Sequence, residues 1–239
     1  MADPRLSMID ERLNGISNIL AISSGKGGVG KSLVASTLGL ILAKRNYEVG
    51  LLDIDFTSPS THIILNMGDL CPKEDKGIVP PEIYGLKYMS IVYYSREHPL
   101  PLRGIDVSNV LAELFAVTIW GNLDFLIIDM PPGISDAMLD IIKLVKRIRF
   151  LIVTTSSQLA FETVRKLICL LLTSKIPVIG VIENMKMKGS RSVQPYVEEM
   201  DVKFLGEIPF DIKIEEALGD VDKLLDTEFS RKMEEISIG

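Results

Sequence analysis

Short, almost wholly apolar runs alternate along this chain with longer stretches whose apolar residues recur every three to four positions. The apolar runs at 19–22, 49–52, 86–92, 123–129, 150–154, 178–182 and 204–206 read as strands buried on both faces. Between them the spacing predicts helices over 33–43, 108–119, 137–146, 160–172 and 193–200, with a shorter one over 61–67. Two helical pieces, near 212–219 and 226–237, close the chain. Repeated strand–helix units of this kind imply an α/β fold, a mainly parallel sheet covered by helices on both faces. Ahead of the first strand, Leu6, Ile9 and Leu13 recur at helical spacing, so residues 1–17 read as a helical extension used for packing or for a partner. Residues 18–239 then form a single domain, because no internal repeat and no long linker divides them. Residues 68–82 read as a polar loop, and 93–103, with Pro99 and Pro101, as irregular.

Composition changes this picture little. Of 239 residues, 47% are hydrophobic and 24% charged, which suits a globular domain with a sizeable core. The net charge of −6 and the lack of a basic run argue against nucleic acid as a partner. The start of the chain lacks a secretory pattern, and the apolar stretch 167–182 is broken by Thr173, Ser174, Lys175 and Pro177. The C-terminal stretch is short and mixed in charge, a poor membrane helix. The expectation is a cytoplasmic protein with no membrane partner. Only two cysteines are present, Cys71 and Cys169, with no zinc spacing; Cys169, within a helical stretch, is expected to be a small buried residue.

The chemistry concentrates in Ser24-Gly25-Lys26-Gly27-Gly28-Val29-Gly30-Lys31-Ser32, between the first strand and a helix that opens at Leu33. Strand, glycine loop and helix make an anion cradle: backbone N–H groups converge, and the helix N-terminus adds positive potential. In the pattern G-x-x-x-x-G-K-[ST], Lys31 reaches the β- and γ-phosphates and the Ser32 hydroxyl ligates Mg²⁺. Gly25, Gly27 and Gly30 also spell the dinucleotide fingerprint G-x-G-x-x-G, with Asp53 as its ribose-binding acid. That reading leaves Lys31-Ser32 unexplained, and with them a second carboxylate, Asp129, at the end of a later strand. Asp53 and Asp55, at the C-terminal end of the second strand, lie where α/β sheets place ligands. Asp129, before Met130-Pro131-Pro132-Gly133, is placed to hold Mg²⁺ through water beside the loop.

The doubled-lysine loop resembles that of the Mrp/MinD (SIMIBI-class) ATPases, among them ParA, the nitrogenase iron protein and the iron–sulfur scaffold ATPases. The resemblance continues through Asp53-Ile54-Asp55 with Pro59-Ser60, Asp129 to Gly133 with Ser135-Asp136, Glu183-Asn184-Met185, and Pro209-Phe210-Asp211. Asp-x-Pro-Pro-Gly and Glu-Asn-Met point to the Mrp branch. It implies a single-domain P-loop NTPase, Mg²⁺-dependent, binding ATP and ADP as a nucleotide-sandwich homodimer. Gly25 through Leu33 would bind nucleotide, and Lys26 would reach the partner protomer's phosphates. Lys31 and Asp55 would act in hydrolysis, Asp55 orienting the water; Ser32, Asp53 and Asp129 would serve the metal. Asn184 and the backbone near Pro209 and Phe210 would contact adenine.

One departure stands out. Iron–sulfur carriers of the Mrp branch have a C-x-x-C pair soon after Glu-Asn-Met; here Lys186 to Val193 contains no cysteine. Cys71, with His62 and His98 in the same third of the chain, is the remaining candidate for a metal ligand. Residues 77–81, 89–94 and 101–104 resemble archaeal Mrp/MinD-type ATPases that assist nickel insertion into [NiFe] hydrogenase, which are similarly cysteine-poor there. The expected function is therefore a homodimeric ATPase switch in metallocentre assembly, working with a metallochaperone or target metalloprotein, most specifically for nickel. The alternatives are an iron–sulfur cluster carrier of the Mrp type and a ParA/MinD-like positioning ATPase.

Overall fold

The computed structural model describes residues 3–95 and 105–236. In chain order its elements are α1 (Arg5–Asn14), β1 (Ile16–Ser24), α2 (Lys31–Lys44), β2 (Val49–Asp53), α3 (Thr61–Ile64), β3 (Lys73–Glu74), β4 (Ile78–Val79), β5 (Glu82–Ile83), β6 (Leu86–Ser90), α4 (Val92–Ser95) and α5 (Ile105–Val117). There follow β7 (Leu123–Asp129), α6 (Asp136–Leu144), β8 (Ile148–Thr154), α7 (Gln158–Thr173), β9 (Val178–Lys186), α8 (Gln194–Glu198), β10 (Phe204–Pro209), α9 (Ile214–Ala217), α10 (Val221–Leu225) and α11 (Glu228–Glu235). Eight strands form one sheet in the order β10-β9-β8-β1-β7-β2-β6-β5, parallel throughout except where β5 pairs antiparallel with β6.

Alternation along the strands builds a core on each face. Ile19, Ala21, Leu126, Ile128, Phe150 and Ile152 point to one side, under α1, α5, α6 and α7. Leu20, Ile22, Leu51, Ile127, Leu151 and Val153 point to the other, under α2, α10 and α11. Each buried Leu, Ile or Phe contributes about 1.5–3 kcal/mol over leaving it exposed. The parallel sheet with helices on both faces is as expected. Among the described residues no helix is long and apolar enough to cross a membrane; the apolar stretch 167–182 divides between the end of α7 and the start of β9.

Several expectations are corrected. β1 begins at Ile16, so the residues after Asn14 are not helical. A Cβ on Gly15 would lie 2.8 Å from Asn122 Oδ1, so close passage past the turn before β7 ends the helix there. The 68–82 loop contains β3, β4 and part of β5, two-residue strands too short to carry a periodic signal. β9 extends to Lys186 because β8 and β10 pair with its far end, which brings Glu183, Asn184 and Met185 into the sheet. The two closing pieces expected at 212–219 and 226–237 contain α9 and α11, and a third helix, α10, stands between them; Asp220 caps α10 and Thr227 caps α11. Tyr93, Tyr94 and Ser95 lie in the helical turn α4, while residues 96–103 of the 93–103 reading, His98, Pro99 and Pro101 among them, like residues 101–104, fall outside the described residues. Cys169 is exposed rather than buried. On α7, Phe161, Val164, Leu167, Ile168 and Leu171 face the sheet, and Cys169 sits a turn beyond Arg165 on the solvent side.

Candidate functional site

β1 ends at Ser24, α2 begins at Lys31, and the six residues between them form the cradle. Gly28 (φ +75°) and Gly30 (φ +83°) take left-handed conformations that favour glycine. Gly30 also passes against Asn184, whose Nδ2 would lie 2.3 Å from an added Cβ. Gly25 is demanded by packing: a Cβ there would lie 2.3 Å from Thr163 Oγ1 and 2.7 Å from Val164 N on α7. At Gly27 a Cβ would meet nothing within 4 Å, so this glycine faces open space. Among the described residues the N–H groups of Gly27 to Gly30 find no protein acceptor, the property a phosphate-binding concavity requires.

Two strands, β2 and β7, deliver the carboxylates. Asp53 at the end of β2 is the register partner of Asp129 at the end of β7, which is paired in turn with Ile22 of β1. Lys31 reaches across from α2 and is itself buried; its Nζ lies 2.5 Å from Asp129 Oδ1, 3.5 Å from Asp55 Oδ2 and 3.3 Å from Ser32 Oγ. Asp129 Oδ2 is buried with no hydrogen-bond partner. Burial, with the neighbouring charge of Asp53, pushes the Asp129 carboxyl up to about 7 against the pull of Lys31. Burial also raises Asp53, although hydrogen bonds from Thr61 and the Asp55 N–H oppose the shift. Asp55 Oδ1 accepts from Thr57 N (3.1 Å), Thr57 Oγ1 (2.6 Å) and Ser58 N (3.2 Å).

The donor set fits a nucleotide with Mg²⁺. Ser32 and the orphaned oxygen of Asp129 offer hard oxygen donors beside an anion cradle, the kind of oxygen Mg²⁺ prefers. Asp53 stands behind them, fully buried, with both oxygens engaged by the chain. A cleft of about 480 Å³ runs along the loop, lined by Lys26, Lys31, Ser32, Leu33 and Asp55, with Thr57, Ser58, Ser60, Ile63, Ile64, Pro132, Met185 and Leu218 on its walls. Exposed Lys26 stands at this cleft, its carbonyl accepting from Ser24 Oγ at 2.9 Å. Asn184 is not among the lining residues; it is buried behind the loop and donates to Val29 O at 2.9 Å. Phe210 also lies off the cleft, half exposed, its N–H bonded to Lys186 O at 3.0 Å. Sequence reasoning missed Thr57, Ile63, Met185 and Leu218 as cleft walls; only Met185 had a signal, its place in Glu-Asn-Met.

On the other side of β1 lies a larger groove, about 1,010 Å³, between α7 and the 191–200 segment. Behind its lining residues Ser156, Ser192 and Val193, Glu183, fully buried, accepts from Ser156 Oγ (2.7 Å), Lys186 Nζ (2.8 Å), Ser192 Oγ (3.2 Å) and Val193 N (2.9 Å). Ser156 also bonds Ser190 at 2.9 Å. Burial works to raise the Glu183 carboxyl, but its hydrogen bonds to Lys186, Ser156 and Val193 outweigh this and hold it below the ordinary range. Cys71 is exposed, and among the described residues no group of three or more His, Cys, Asp and Glu is placed to hold a metal. Cys71, the candidate ligand, and His62 are thus not gathered into a metal site among the described residues, and His98 lies outside them.

Comparison with known proteins agrees with this geometry. The family model of the NUBPL iron-transfer P-loop NTPases, of the ParA group, matches residues 15–237. An iron–sulfur cluster carrier protein of Aquifex aeolicus is 36% identical over 86% of this chain and 61% of its own length. One from Salmonella typhimurium is 33% identical over 94% of this chain and 64% of its own. The chain thus spans less than two thirds of either relative. Among solved structures, a nucleotide-binding protein of Archaeoglobus fulgidus in complex with ADP has a TM-score of 0.78 at 30% identity, covering 92% of both chains. MinD of Pyrococcus horikoshii with Mg-ADP, at 20% identity and a TM-score of 0.69 over 92% of this chain and 93% of its own, shares the fold.

Proposed function

The chain belongs to the family of NUBPL iron-transfer P-loop NTPases, and from that premise we propose that it is a Mg²⁺-dependent ATPase switch serving iron–sulfur cluster delivery. The expectation centred on nickel is revised accordingly, since the relatives named above are iron–sulfur cluster carriers. The observation that carries the ATPase part is the buried Lys31, poised between Asp129 and Asp55 at the mouth of a glycine loop with free N–H groups.

ATP enters with its phosphates on the Gly25–Leu33 loop. Lys31 leaves its carboxylate partners for the β- and γ-phosphates; Ser32 and Asp129 would hold Mg²⁺, which would supply charge neutralisation of the phosphates when bound. Asp53 acts from behind the metal site. Asp55 orients the attacking water. Lys26 reaches the phosphates of a second copy, so closure of a homodimer precedes turnover. Asn184 acts on the base through the loop it braces, with the backbone at Pro209 and Phe210 beyond it. Nucleotide state then sets affinity for the partner that carries or receives the cluster.

A second reading, nickel delivery, is favoured by one observation: residues 186–193 offer no thiolate, so cluster ligands would come from Cys71, Cys169 or a partner. The test is a pull-down from native extract with Asp55→Ala protein and ATP, followed by mass spectrometry and metal analysis. Asp55→Ala is expected to bind ATP and to lose turnover by about 100-fold or more; normal hydrolysis overturns the mechanism. Iron with cluster-assembly proteins supports the main reading, and nickel with a hydrogenase maturation chaperone replaces it.

A further inference from the structure

The nine residues from Asp53 to Thr61 close into a ring at the edge of the cleft. Asp53 Oδ1 accepts the backbone N–H of Asp55 at 3.0 Å. Asp53 Oδ2 accepts both the N–H (3.2 Å) and the hydroxyl (2.6 Å) of Thr61, the first residue of α3. With its proton committed to Asp53, the Thr61 hydroxyl accepts from the Tyr88 hydroxyl at 2.9 Å, which anchors it to β6. Asp53, Thr61 and Tyr88 are fully buried. One carboxylate therefore grips both the backbone beneath Asp55 and the far end of the segment that carries Thr57, Ser58 and Ser60 along the cleft.

We propose that Thr61 is a positioning residue for hydrolysis: with Tyr88 behind it, its hydroxyl clasps Asp53 and so fixes Asp55 relative to Lys31 and the cleft. The inference rests on the ATPase reading above and adds a residue to it. Thr61 does not line the cleft; it acts on turnover only through Asp53 and the ring. Buried, fully paired hydroxyls are rigid anchors, and small displacements of a water-orienting group are costly to rate while leaving the phosphate contacts intact.

The test compares Thr61→Val, Thr61→Ser and Tyr88→Phe in the full chain, measuring ADP affinity by calorimetry and single-turnover ATP hydrolysis. Thr61→Val is expected to lower the hydrolysis rate by about 10-fold or more with ADP affinity held within about 2-fold, the signature of lost transition-state positioning. Thr61→Ser keeps the hydroxyl and restores the rate to within about 2-fold; Tyr88→Phe, which frees that hydroxyl to wander, costs about 3-fold. Hydrogen exchange over 54–61 is expected to quicken in Thr61→Val and not in the strand 49–52. Wild-type hydrolysis in Thr61→Val, or equal losses of rate and ADP affinity that Thr61→Ser does not rescue, overturns the inference. Should Thr61→Val fail to fold, Tyr88→Phe decides, and an unchanged rate overturns it. A wild-type chain that binds no ADP and hydrolyses no ATP defeats the ATPase reading first, and this inference with it.

Discussion

Asp129 ends β7, next to the loop strand β1 on one side, and Glu183 lies on β9, beyond β8 on the other side, and the chain treats them in opposite ways. Asp129 is fully buried with one oxygen paired to Lys31 and the other to nothing. Glu183 is equally buried, yet a serine hydroxyl and an ammonium group meet one of its oxygens, and a second serine and a backbone N–H meet the other. The first carboxyl is pushed up and the second held down. An unmade bond to a buried charge costs about 1–3 kcal/mol or more, so a fold tolerates it only where something else completes the site. A buried carboxylate with every lone pair used is a rivet. This matters for function because the segment riveted to Glu183 is the one where the resemblance to Mrp-branch carriers leads one to expect a cysteine pair. The phosphate side is built to receive; the Glu183 side is built shut, with serines and a main-chain N–H where thiolates would be expected.

The comparison breaks most readily at Lys31. If the phosphate side is the receiving one, Lys31→Ala removes the main cation that meets the phosphates and leaves Asp129 unpaired. ADP affinity is expected to fall by about 100-fold or more, since charge-assisted contacts of this kind are worth roughly twice neutral ones. Calorimetry decides; affinity within about 10-fold of wild type would remove the loop from the binding site.

A smaller effect follows from the protonation of Asp129. As the proposed Mg²⁺ ligand it would bind the ion only when ionised, and burial has raised it to about 7. The gain in ADP affinity on adding Mg²⁺ is therefore expected to be small near pH 6 and to grow as pH rises through 7, levelling off above 8. The sign for folding is the reverse: a raised carboxyl contributes stability below the ordinary carboxylate range, and the contribution is lost as pH climbs toward about 7. Asp129→Asn should abolish the pH dependence of the Mg²⁺ effect. A Mg²⁺ effect that is flat from pH 6 to 8 in the wild type would sink the assignment.

What the sequence made legible divides along the same line. The Gly25–Ser32 loop, Asp53, Asp55 and Asp129 could be read because each lies within a few residues of an apolar strand end, and strand ends in parallel sheets are where ligands collect. The rivet could not. Its donors come from Ser156, Lys186, Ser192 and Val193, brought together only by the pairing of β8 with β9 and the return of the following segment. The Thr61 clasp was invisible for the same reason, since Tyr88 meets Thr61 across β2 and β6. Asn184 carried a motif signal, yet its brace on Val29 depends on the close pass of Gly30. Cys169 was misread because a helix face was judged by its apolar neighbours rather than by its angle from Ile168.

The smallest expected effect tests the rivet itself. Glu183→Gln keeps the shape and an acceptor oxygen but removes the charge that Lys186 and Ser156 answer, and it places an NH₂ where a donor already points. Lys186 retains Glu207 at 3.2 Å, so the lysine is not stranded. The loss should therefore be about 1–3 kcal/mol of stability, the range for a charged hydrogen bond made poorer. Because the Glu183 carboxyl is held below its ordinary value, its contribution is present above the ordinary carboxylate range and lost as pH falls through its lowered value. Denaturant unfolding of wild type and Glu183→Gln should thus differ at pH 7 and converge in acid, while ADP affinity stays within about 2-fold because the cleft does not include this residue. An ADP affinity that falls along with stability would mean the two sides of the loop strand are one site. The contrast between a receiving edge and a riveted one would then have to be abandoned.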